Sequence, residues 1–164
     1  MLTTKAIKKA GQLVNSKHVD SLLSNYKKER WLQNSNHIGK ADSLSVWYSL
    51  DQLQEFLDTA KATGADGIKM YFGVYDAATA SEEIYEDRQT IVLVATKAKE
   101  LDNGLIVDKN VYTDNGSKPE IVAFNVGRLC PPTCAGGGTG TGTGFDLENP
   151  GILIDTSDKG MIVI

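Results

Sequence analysis

The sequence predicts an α+β fold, and three observations carry that expectation. Apolar residues recur at helical spacing through Leu50, Leu53, Phe56, Leu57 and Ala60. Residues 67–76 (GIKMYFGVYD) alternate apolar and polar side chains with the period of a strand. Residues 89–96 (QTIVLVAT) are apolar on both faces, as a strand inside a sheet must be. The expected architecture is a mixed sheet with one βαβ unit, helices packed on one face, and a β-rich C-terminal part. One domain over residues 1–164 is expected: a basic helical segment over 1–32, a βαββ core over 43–97, and a β-rich remainder over 98–164.

Residues 4–32 carry two apolar stripes. The first is Ile7, Ala10, Leu13 and Val14, and the second is Val19, Leu22, Leu23 and Tyr26. Their phase slips at Asn15-Ser16, so two short helices or one kinked helix are expected, with Ser16 as a cap of the second. Residues 33–42 (QNSNHIGKAD) are polar and hold a glycine, which predicts a loop. A short strand is expected over 44–49. Ser49 and Gln52 have the spacing of a capping box for a helix over 50–63, and Gly64 is placed to end that helix in a left-handed turn. Strand, helix and strand over about thirty residues would make a parallel βαβ unit. The strand over 89–96 should then run antiparallel beside the strand over 67–76.

Beyond residue 98, Asp102-Asn103-Gly104 and Asp114-Asn115-Gly116 are turn signals. Strands are expected over 105–113 and 120–127, and a hairpin over 151–164. Glycines crowd into 136–144 (GGGTGTGTG). This run lacks the lysine of a P-loop and the helix start of a dinucleotide site, so a flexible loop is preferred to a phosphate cradle.

Charge is unevenly spread. Residues 1–40 hold eight Lys/Arg against two acids, and residues 41–164 hold nine against nineteen. A basic helical segment docked on an acidic body is the preferred reading, with self-association through the N-terminal helices as its extension. A basic arm for nucleic acid is disfavoured, because the whole chain has a net charge of −4. No apolar run reaches the length of a membrane span, and no signal-peptide core is visible at the N-terminus, so a cytoplasmic location is expected.

Three groups of residues are candidates for chemistry. Lys69, Tyr71 and Tyr75 share one face of the strand over 67–76, with Gly73 as a floor. Arg88 is expected beside Tyr75, and Arg128 is placed in the roof. Amines, guanidiniums and phenols around a glycine suit an anionic or planar small molecule, with residues 77–87 as a lid. Cys130 and Cys134 are candidate reactive thiols. Their Cys-Pro-Pro-Thr-Cys spacing holds the sulfurs apart in an extended chain, so a bridge requires a turn, for which a cis proline would serve. Asp76, Glu82, Glu83, Glu86 and Asp87 crowd one loop without the spacing of a calcium site, and Glu82, Glu83 and Glu86 are expected in the first turns of a short helix capped by Ser81. Neither His18 nor His37 adjoins a nucleophile in a catalytic pattern. No cofactor or metal is expected. A non-enzymatic binding or accessory module is the preferred function. The alternative is a small enzyme or thiol sensor roofed by the 128–144 loop, which carries Arg128, Cys130 and Cys134.

Overall fold

A computed structural model describes residues 10–114 and 116–134. The fold is α+β. The chain divides into two compact units, Met1–Leu44 with Pro131–Ile164 and Ser45–Cys130. The first expected stripe lies partly outside the described residues, as do the glycine run and the 151–164 hairpin.

In the first unit, α1 runs Ser16–Tyr26, a π-helical turn follows over Lys27–Trp31, and α2 runs Leu32–Ile38. The cap is Asn15 rather than Ser16, because Asn15 Oδ1 accepts from the His18 amide at 2.9 Å. The polar stretch expected as a loop from residue 33 is helical as far as Ile38, where Gly39 ends it at φ 70°. Polar residues are tolerated there because they bind locally. The Ser35 hydroxyl accepts from the Asp42 amide at 2.9 Å, and Asn34 donates to Asp42 Oδ2 at 3.2 Å. Trp31 is fully buried, and its indole N–H donates to the Asp42 carbonyl at 2.7 Å. The π turn sets the buried Lys27 side chain 5.7 Å from the Trp31 ring centroid.

The second unit holds β1 (Ser45–Trp47), α3 (Leu50–Ala62), β2 (Gly67–Val74), a 3-10 turn (Glu83–Tyr85), β3 (Gln89–Glu100), β4 (Ile106–Asn110), β5 (Tyr112–Asp114), β6 (Pro119–Ile121), β7 (Ala123–Phe124) and β8 (Arg128–Cys130). The Ser49–Gln52 capping box forms at the start of α3, and Gly64 follows its end at φ 80°. β3 is the central strand of its sheet. β2 pairs with one side of it, and β4 and β7 share the other. Both turn signals beyond residue 100 are occupied: Asn103 Oδ1 accepts from the Leu105 amide, and Asp114 Oδ1 from the Gly116 amide.

One sheet expectation is corrected. Every strand pairing among the described residues is antiparallel, so no parallel βαβ unit forms. β1 pairs with β8, with Val46 opposite Leu129, and lies outside the sheet that holds β2. The strand–helix–strand sequence pattern is present, but pairing partners lie far along the chain and periodicity does not name them.

The strands expected over 105–113 and 120–127 are each split, at Val111 and at Val122. The split has a physical origin. Val111 N donates to Ala95 O, Ala95 N to Val122 O, and Val122 N to Val111 O, each at 2.9 Å. This three-way mesh passes β3 from β4 to β7 and buries Val122 beside Phe56, Ala60, Leu93 and Ala95. Phe124 stacks on Phe56 with centroids 5.2 Å apart, and Tyr48 leans on Phe124 at 5.2 Å. A second cluster joins Tyr75, Tyr85 and Leu129.

Candidate functional site

The strand expected over 67–76 forms over Gly67–Val74, and its alternation is real, but the two faces are used differently from the expectation. Ile68 packs on the α3 core, whereas Met70, Phe72 and Val74 are 67%, 79% and 68% exposed. The reason is lateral. Phe56 and Ala60 of α3 pack with Leu93 and Ala95 of the central strand β3, and the edge strand β2 extends beyond that cover.

On the opposite face, the expected open floor is closed: Tyr75, Thr90 and Val94 are each at most 5% exposed. Tyr75 belongs to the second core cluster, and its hydroxyl donates to Asn125 Oδ1 at 2.6 Å. Asn125 in turn donates to Thr90 Oγ1 at 3.1 Å and to Ile91 O at 2.8 Å. Arg88 is buried, its Nε donating to Ile84 O at 2.8 Å, and Tyr75 N donates to Arg88 O. Thus Tyr75 and Arg88 do meet, as members of the core. Lys69 reaches over β3 and donates from Nζ to the Asp108 carbonyl at 2.7 Å. Tyr71 is 45% exposed. Arg128 lies on β8, in another sheet, with its guanidinium 4.4 Å from the Trp47 ring centroid. The five residues are therefore not gathered around one cavity.

Cys130 and Cys134 are disulfide-bonded, which corrects their reading as reactive thiols. The turn that the spacing demanded is there, and the Pro131–Pro132 bond is cis.

The 77–88 loop is also held differently from the expectation. The short helix expected after Ser81 is a 3-10 turn, Glu83–Tyr85, with Glu82 at its N-cap and no side-chain cap bond. The turn before it is held by Asp76, whose Oδ1 accepts from the Ala78 amide, the Thr79 amide and the Thr79 hydroxyl, the last at 2.6 Å. The Thr79 hydroxyl is the main cause holding the Asp76 carboxyl below its ordinary range. Tyr85 anchors the loop in the second cluster, which does not suit a lid. Among the described residues, no group of three or more His, Cys, Asp or Glu is placed to hold a metal ion. None of their helices is long and apolar enough to cross a membrane.

Among the described residues, the surface left with chemistry to offer is the outer edge of β2, which no other strand of theirs pairs. In an antiparallel pair, alternate residues exchange bonds with the partner strand, and those between direct their N–H and C=O the other way. The Tyr75–Arg88 bond sets the phase: odd-numbered residues of β2 face β3. Ile68, Met70, Phe72 and Val74 therefore direct their backbone polar groups off the sheet edge. Three of them, Met70, Phe72 and Val74, also carry exposed apolar side chains. A shallow groove of about 200 Å³ adjoins the start of the strand, lined by Leu57, Ala60, Lys61, Ala65, Gly67 and Ile68 among others.

Sequence reasoning missed this edge because alternation identifies a strand without locating it in a sheet. A usable signal was present: β3 is apolar on both faces and β2 on one, which ranks β3 as central and β2 as the candidate edge. Comparison with protein families, curated proteins and solved structures gives no match.

Proposed function

We propose that this chain is a non-enzymatic binding module that captures an extended polypeptide strand on the outer edge of β2. One observation carries the reading: four consecutive outward backbone positions, 68 to 74, coincide with the exposed Met70, Phe72 and Val74 side chains. Natural sheet edges are usually guarded by lysines, prolines or bulges. β2 has no proline, pairs with β3 without interruption over eight residues, and its one charge, Lys69, is drawn back to Asp108. Strand addition supplies main-chain hydrogen bonds for affinity, and alternate side chains supply selectivity. The Cys130–Cys134 bridge supports an oxidising compartment over the cytoplasm expected from the sequence.

The test uses synthetic eight-residue peptides that alternate apolar and polar residues. With amide exchange followed residue by residue, binding protects Met70 and Phe72 amides and leaves Tyr71 unchanged. If no such peptide protects these amides at any concentration, the reading fails.

A further inference from the structure

We infer that the strand captured by β2 is the β2 of a second copy, giving an antiparallel two-fold dimer centred on Tyr71. This rests on the binding reading above and names its partner.

Symmetry restricts the register. A two-fold axis normal to the sheet keeps each face on its own side, so even-numbered residues must oppose even-numbered ones. Centring on Tyr71 sets Met70 against Phe72 of the other copy, Ile68 against Val74, and Lys69 against Gly73. All four outward positions then exchange hydrogen bonds without leaving the strand. Centring one residue either way carries Asp66 or Asp76 into the paired ribbon. In the Tyr71 register the exposed apolar row continues across the joint, and no lysine opposes a lysine. Asp66 and Asp76 meet just outside the ribbon, where Asp66 already accepts from the Ala98 amide and Asp76 from the Thr79 amide of its own chain.

The contact is small. In-plane pairing covers the backbone edge and only the flanks of Met70, Phe72 and Val74, whose outer faces stay exposed, so the total stays below about 1,200 Å² and the contact belongs to the weak, reversible class. An isologous contact of this kind closes on itself and leaves neither copy with an open β2 edge. Aromatic and apolar cross-strand pairs such as Met70 with Phe72 strengthen it.

The experiment is sedimentation of the full chain from about 1 to about 200 µM, spanning the weak affinity expected of a small interface. The expected result is a reversible monomer–dimer equilibrium. Met70→Lys and Phe72→Glu, both at exposed positions, each weaken it at least tenfold. Combined in one chain, they restore it, because only the Tyr71-centred register sets the introduced ammonium of one copy against the introduced carboxylate of the other. A chain monomeric throughout, or a dimer indifferent to Phe72→Glu, overturns the inference. So does a double variant that stays monomeric while the wild type dimerises. A monomeric chain that still binds the strand peptides overturns the second copy and leaves the binding reading standing; one that binds neither overturns both.

Discussion

Gly127 lies against the Tyr48 ring so closely that a Cβ built on it would stand 2.6 Å from Cζ and 2.7 Å from Cε1. Val46 Cγ1 crowds the same point. The backbone beside β8 therefore touches the residues on either side of Trp47, and only glycine fits. Gly127→Ala should cost about 1–3 kcal/mol through overpacking, read as a lower urea midpoint at unchanged slope. Gly73→Ala is the contrast. Its Cβ would meet Thr90 Cγ2 at 3.5 Å, an ordinary contact, and stability should hold or rise slightly. Equal effects at the two positions would refute the packing described around Tyr48.

The Tyr75 hydroxyl and Asn125 form a buried polar pair. Tyr75→Phe leaves Asn125 Oδ1 without its donor at 2.6 Å, and should cost about 1–3 kcal/mol. Asn125→Ala removes three bonds at once and should cost more. Thermal unfolding of both variants checks the order. Were Tyr75 a ligand contact instead, its truncation would leave stability unaltered.

Tyr48 gives an alkaline signature. Burial is the main cause holding its phenol above the ordinary 10.0, with Tyr75 adding to the shift and the Gly127 backbone opposing it. The unfolded chain loses this proton first as pH rises. The contribution is fully present below pH 10.0 and is lost as pH climbs through the raised folded-state value. Urea midpoints measured up to about pH 11 should fall less steeply for Tyr48→Phe than for the wild type. An identical slope in the two proteins would contradict the buried phenol.

The Cys130–Cys134 bridge closes a loop of five residues. On the chain-entropy account such a loop contributes about 2 kcal/mol. Native protein should show no thiol to a maleimide reagent and two after reduction in denaturant. Replacing both cysteines with serine should lower stability by that order. Two reactive thiols in the native, unreduced protein would contradict the bridge.

Local signals were legible in the sequence where chemistry acts over a few residues. The Ser49–Gln52 box, the left-handed Gly64 and the turns after Asp102 and Asp114 are short-range events, and each stands where its residues predict it. The central position of β3 was also legible, because an uninterrupted apolar run has to be covered on both faces. The pairing of β1 with β8 was not, since it joins Val46 to Leu129 across about half of the chain. Tyr75 shows the remaining difficulty. Its alternation with Tyr71 is the same on either side of a core boundary, and only packing distinguishes a buried phenol from an exposed one. Arg88 misleads for the same reason: a guanidinium reads as a binding group until its backbone partner at Ile84 is seen.

The most direct test of the account is residue-resolved amide exchange of β2 across protein concentration. At high dilution the amides of Lys69, Tyr71 and Gly73 should be protected by β3, while those of Met70, Phe72 and Val74 exchange readily. Protection at the even positions should then rise with concentration. Even-numbered amides protected equally at every concentration, or exchanging readily at all of them, would contradict an edge that pairs with a second copy.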